Sequence, residues 1–246
     1  MTLDGKVALV TGAGRNIGKA IALALAGEGA TVIVNARSNR EEAEAVARQI
    51  RDAGGQASVM LADVSDRAAL QGLMDAALAE HGHVDIVVNN AATRPSKSFL
   101  EMTYEDWREV LATDLDAAFI ASRAAAPGMV ERGWGRIINL SGLSAFQGGH
   151  EGVHISAAKV GIIGLTRALS TELAHAGVLT NCIVPGLIAT RVGELPPRLQ
   201  ARLDGIPVGR QGTPEDIAAM CVFLCSDAGS FITGQTLHIN GGERAY

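Results

Sequence analysis

No stretch of this sequence stays apolar for the roughly 20 residues that a membrane-crossing helix needs. The opening "MTLDGKVALV" also lacks the basic-then-apolar pattern of a secretory signal. Positive charge is in short supply. A balance of 21 Lys and Arg against 26 Asp and Glu leaves a net charge of −5, which argues against a broad nucleic-acid-binding surface. Cysteine is scarce too. Cys182, Cys221 and Cys225 are odd in number and sit in apolar surroundings, so they read as buried free thiols, and a reducing cytoplasm is expected. No further Cys or His stands close enough to Cys221 and Cys225 to suggest a zinc site. Low-complexity linkers and internal repeats are lacking, so a single domain over 1–246 is expected.

What is present is a regular alternation of strand-like and helix-like patterns. Val- and Ile-rich runs at 6–12, 31–36, 57–63, 84–90, 135–141, 180–186 and 235–241 lack clean alternation, as parallel strands buried on both faces do. Between them lie helical stretches such as "REEAEAVARQIRDAGG", closed by glycines suited to a helix end. Seven strands with crossover helices predict an α/β fold, a doubly wound parallel sheet of Rossmann type. The irregular, Pro-containing piece at 191–210 is expected to form a lid over a site.

"VTGAGRNIG" follows the first strand and opens the first helix, with Gly12, Gly14 and Gly18 in the turn. Glycines let the backbone approach a pyrophosphate, and the helix N-terminus supplies N–H groups and positive dipole. At the end of the second strand an NAD site usually keeps an acid for the ribose 2′-OH. This chain has Asn35 there, and no Asp or Glu between Ala30 and Arg40. Arg15 and Arg37, the latter beside Ser38, instead suit a 2′-phosphate, so NADP(H) is the expected cofactor.

Taken together, the motifs resemble those of the short-chain dehydrogenase/reductases over residues 7–242. They are "TGAGRNIG", "ADV" at 62–64, "NNAA" at 89–92, "GRIINLSG" at 135–142, Lys159 in its helix, "NCIVPGLIAT" at 181–190 and "ITGQTLHINGG" at 232–242. The family's first motif has a glycine where this chain has Asn16, a residue that tolerates left-handed backbone. The resemblance implies a nicotinamide-dependent oxidoreductase of carbonyls or alcohols acting on a small molecule. It also implies cofactor contacts from Ile17, Asp63, Val64, Asn89, Asn90, Ala91, Pro185, Gly186, Ile188 and Thr190. Relatives assemble as homotetramers or dimers through two long helices, here expected at 104–126 and 152–175, and the last strand.

At the chemical end the family uses Asn, Ser, Tyr and Lys, with Tyr four residues before Lys. Only Lys159 matches; the other positions fall on Asp114, Gly142 and Ile155. Asp114 retains a carbonyl for holding a water, and Ser144, two residues past Gly142, is a candidate replacement hydroxyl. His154 is a candidate acid, since histidine titrates near neutrality. On a regular helix, however, positions 154 and 159 lie about 140° apart, so that role needs a late or rewound helix start. "HEGVH" at 150–154 matches a zinc-hydrolase pattern but is interrupted by glycine, and no metal is expected. A degenerate, non-catalytic NADP(H) binder is the alternative reading.

Overall fold

The structure is a computed structural model that describes residues 2–190, 193–194 and 196–245. Its centre is one seven-stranded parallel sheet in the order β3-β2-β1-β4-β5-β6-β7. The strands are β1 (Val7–Val10), β2 (Thr31–Ala36), β3 (Gln56–Leu61), β4 (Ile86–Asn89), β5 (Gly135–Leu140), β6 (Val178–Pro185) and β7 (Thr236–Ile239). All seven expected strands are present, and the order confirms the doubly wound fold.

The helices are α1 (Asn16–Gly27), α2 (Arg40–Asp52), α3 (Arg67–His81), α4 (Tyr104–Leu111), α5 (Ala117–Arg132), α6 (Ser144–Gln147), α7 (Val153–Leu173), α8 (Pro197–Asp204) and α9 (Pro214–Cys225). The two-residue period of β1 explains how they divide between the faces. Ala8 and Val10 join the core under α1, α2 and α9, while Val7 and Leu9 join the core under α3 and α5. A third cluster seats Ile162 and Ile163 of α7 on Cys182 and Val184 of β6. Each fully buried Val, Leu or Ile contributes roughly 1.5–3 kcal/mol. This core is enough to fix the strand ends that carry the site.

Two departures from the sequence reading matter. The helix expected over 104–126 is broken by a π-helical turn, Ala112–Asp116, between α4 and α5. Such a widened turn re-aims side chains and is often found at functional sites; here it carries Asp114. Of the expected lid, residues 191, 192 and 195 lie outside the described residues, and the stretch beyond them includes α8.

The strand order reverses between β1 and β4, whose neighbours run outward in opposite directions. In such sheets ligands bind in the crevice beyond the strand C-termini at this switch.

Candidate active site

The glycine loop is held from below by side chains of neighbouring strands. The Thr11 hydroxyl accepts from the N–H groups of Asn90 and Ala91, both at 3.0 Å. The Asn90 amide donates to the carbonyls of Thr11 (2.8 Å) and Gly12 (3.2 Å). Gly18 packs so closely that a Cβ there would collide with the Gly12 carbonyl and the Asn90 amide. Asn16 takes the left-handed backbone, φ 50°, that the missing glycine would supply. Helix α1 then begins with no side-chain cap on its N–H groups and no acid in its first turn. An anion at this end would meet free donors and the positive end of the helix. The loop therefore fits a dinucleotide pyrophosphate.

Asn35 was expected among the cofactor contacts, and the structure gives it other work. Its side chain is buried, accepts from Gly12 N at 3.2 Å, and donates to the carbonyls of Met60 and Ala62 at 3.2 Å each. It is thereby committed to tying the glycine loop to β3. Asn89 is likewise buried, donating to Asn139 Oδ1 at 2.8 Å and Ser122 Oγ at 3.3 Å. Asp63 accepts from the N–H and hydroxyl of Ser65, and Val64 is buried beside it. Arg15, Arg37 and Ser38 are exposed around the loop and the end of β2.

The chemical end surrounds a cavity of about 430 Å³. Ile17 borders it from the start of α1, Ser141 to Ser144 follow β5, and Pro185 to Thr190 lie at and beyond the end of β6. Ile155 and Lys159, one turn apart on α7, complete the wall. Lys159 is almost wholly buried. Its Nζ donates to the Leu140 carbonyl at 3.1 Å and pairs with Asp114 Oδ2 at 3.0 Å. Burial pushes the Lys159 ammonium below the usual lysine range, Asp114 pulls it back up, and the charge of Arg94 pushes it down again. The other Asp114 oxygen accepts Thr93 N at 2.8 Å, so the π-turn carboxylate ties Lys159 to the segment after β4. Among the described residues a Cβ at Gly142 would meet only Ser144 Oγ, at 3.8 Å.

Among the expected catalytic residues, Lys159 and Ser144 face the cavity, and Asp114 lies behind Lys159. His154 does not fit its expected role. Helix α7 begins at Val153, one residue before it, so no rewound turn brings it over Lys159. Its ring is fully buried and, among the described residues, borders no part of the cavity and has neither nitrogen hydrogen-bonded. In "HEGVH" residues 150–152 are not helical, Glu151 has φ 53°, and His150 is exposed while His154 is buried. The two histidines share no face. Sequence reasoning passed over Arg94, Gln147 and Arg202, which also line the cavity. Arg202 lies within the stretch expected to form a lid, and for Arg94 a positive charge just past β4 was the available signal.

With this geometry in view, the comparisons decide the family. Residues 12–243 match the family model described as enoyl-(acyl carrier protein) reductase. The chain belongs to the short-chain dehydrogenase/reductase family. It is 39% identical to 3-oxoacyl-[acyl-carrier-protein] reductase FabG of Aquifex aeolicus, over 98% of each chain. It is 41% identical to nodulation protein G of Azospirillum brasilense, again over 98% of each. Among solved structures, a Sinorhizobium meliloti protein provisionally assigned as a short-chain alcohol dehydrogenase superposes with TM-score 0.92 at 36% identity. That match covers 98% of this chain and 97% of the other. A Beutenbergia cavernae protein, provisionally assigned as an NAD(P)-dependent gluconate 5-dehydrogenase, carries bound NADP at low occupancy. It superposes with TM-score 0.90 at 38% identity over 98% of each chain. The family is one of nicotinamide-dependent oxidoreductases acting on small molecules. Among the described residues no helix is long and apolar enough to cross a membrane.

Proposed function

We propose that this protein is an NADP(H)-dependent oxidoreductase that interconverts a carbonyl and an alcohol without the family's tyrosine. The observation that carries the reading is the buried Lys159–Asp114 pair beside a cavity in which Ile155 stands one turn before the lysine. NADP(H), when bound, would supply or accept the hydride. The glycine loop would hold its pyrophosphate, Ile188 and Thr190 its nicotinamide amide, and Arg15, Arg37 and Ser38 its 2′-phosphate. Because Asn35 is spent on the loop, the end of β2 offers no carboxylate to a 2′-OH. Glu42, on the first turn of α2, packs against Gly14, and its charge works against the phosphate.

As hydride reaches a carbonyl carbon, its oxygen gathers negative charge and needs a proton. Ile155 has none to give. The Lys159 ammonium has one hydrogen on Leu140 and its charge paired with Asp114, which leaves it a hydrogen for the cavity. Burial makes that proton easier to release, and Asp114 steadies the charged form between turnovers. Ser144 can donate a hydrogen bond to the same oxygen. In the alcohol-to-carbonyl direction the neutral amine takes the proton back. The names of the relatives make 3-oxoacyl thioesters the first carbonyl class to assay.

A second reading, a non-catalytic NADP(H) binder, draws on the apolar Ile155 beside Lys159. The two readings part on one assay. The first predicts NADPH oxidation with a 3-oxoacyl thioester or another carbonyl, lost in Lys159→Ala; the second predicts NADPH binding with no oxidation across the panel. Restoring the family pattern with Ile155→Tyr and Gly142→Ser, for which Gly142 has room, should raise the rate only slightly if Lys159 already serves. The assembly is proposed as a homotetramer or dimer through α4, α5, α7 and the last strand. Phe119, Val160 and Phe231 are exposed apolar residues on or beside those elements. Light scattering showing a monomer at micromolar protein would refute it.

A further inference from the structure

The charges facing the cavity do not balance. Among the described residues its wall holds Arg94, Lys159 and Arg202 and no carboxylate. Two of the three cations are already met from outside the wall. Lys159 has Asp114 behind it, and Arg202 makes a two-pronged ion pair with Glu243, itself almost buried. Arg94 has neither an ion pair nor a hydrogen bond among the described residues, although its neighbours Ser96 and Lys97 are tied to Glu151 and Asp106. Its segment is not loose, because Thr93 N is fastened to Asp114.

Arg94, an exposed side chain, and Lys159 therefore line one cavity, the positive charge of Arg94 works against that of Lys159, and the carboxylate behind the lysine, Asp114, is paired with the lysine. An anion in the cavity would relieve this repulsion and fill the planar fork of Arg94, whose donors match carboxylate and phosphate geometry. Ser144 and Gln147 on the same wall would face the neutral part of such a ligand.

We propose that the cavity takes substrates carrying an anionic group, a carboxylate or a phosphate, and that Arg94 holds this group while Lys159 faces the reacting oxygen. The hydride transfer is that of the proposed function; the anion site stands on the cavity's own charges. The assay pairs each of a set of five-carbon 2-, 3- and 4-oxo acids with its methyl ester. It also pairs a 3-oxoacyl thioester of 4′-phosphopantetheine with that of pantetheine. One charged member should be reduced with kcat/KM about 10- to 100-fold above its neutral partner, and Arg94→Gln should erase that ratio. Arg94→Lys should restore part of it. Preference within the acid pairs identifies a carboxylate, and preference within the thioester pair a phosphate.

A binding arm separates the two proposals. The matching hydroxy acid and its ester are titrated into NADPH-loaded protein by calorimetry, where no turnover is possible. Charge-selective binding that Arg94→Gln abolishes, without turnover of any substrate, would keep the anion site and overturn the catalytic reading. Equal handling of charged and neutral partners by the unaltered protein would overturn the anion site. So would a loss of NADPH affinity in Arg94→Gln as large as the loss of substrate affinity, since Arg94 would then serve the cofactor.

Discussion

The two halves of this site are built on different terms. The cofactor half is a scaffold of neutral contacts: Thr11, Asn35 and Asn90 spend their side chains on backbone groups, and the loop they hold offers N–H donors outward. The chemical half rests on charge, with a buried lysine backed by a buried carboxylate on a π-turn and, on the same cavity, a guanidinium unpaired among the described residues. Removing one partner of a buried neutral hydrogen bond costs about 1–3 kcal/mol, whereas halving a buried ion pair costs about 3–5 kcal/mol. Substitutions should therefore separate the halves by size of effect.

The largest effect is expected at Lys159. Lys159→Met leaves Asp114 charged and buried alone, which should cost about 3–5 kcal/mol of stability, read from denaturant unfolding, and abolish carbonyl reduction. Adding Asp114→Leu should return most of the stability and none of the activity. If the single variant is as stable as the unaltered protein, the pair is not the keystone of the chemical half.

At the cofactor half the expected change is one of preference. The unaltered protein should bind NADPH at least about tenfold tighter than NADH, about 1.4 kcal/mol, and Arg37→Ala should remove most of that difference. Calorimetric titration of both cofactors checks it, and equal affinities at the outset would sink the assignment.

The smallest effect is expected where the sequence pointed most pointedly to chemistry. His154 is sealed in the core with both ring nitrogens unpartnered, so His154→Leu removes an unsatisfied polar group rather than a catalyst. Stability should hold or rise by about 1–3 kcal/mol, and turnover should stay within twofold. A fall of about 10² or more in rate would restore His154 as the acid.

How far the sequence could be read follows the same division. The sheet was legible because Val- and Ile-rich runs such as "VALV" and "TVIVNA" have few other homes, and the glycine loop because its turn must sit between strand and helix. The left-handed residue forced by the missing glycine was legible at Asn16. The chemical half was less so, because its contacts are long-range. Nothing near Asp114 in sequence announces the π-turn or the lysine 45 positions later that it pairs with. Nor does a pattern show that α7 starts before His154 rather than after it, since the glycines at 148, 149 and 152 permit either. Arg94 was hidden for the same reason: a lone arginine gains meaning only when the other two cations of its cavity prove to be paired.

In the proposed mechanism the Lys159 ammonium, steadied by Asp114, delivers the proton that Ile155 cannot. The measurement closest to it is the pH dependence of carbonyl reduction in the unaltered protein and in Asp114→Asn, with NADPH saturating. Reduction needs the protonated lysine, and Asp114 raises its pKa against the depression caused by burial. Removing that charge should carry the alkaline fall in rate to lower pH by about one unit or more, with the acid side unchanged. An alkaline limb that stays at the same pH in both proteins would rule out Lys159 as the proton donor.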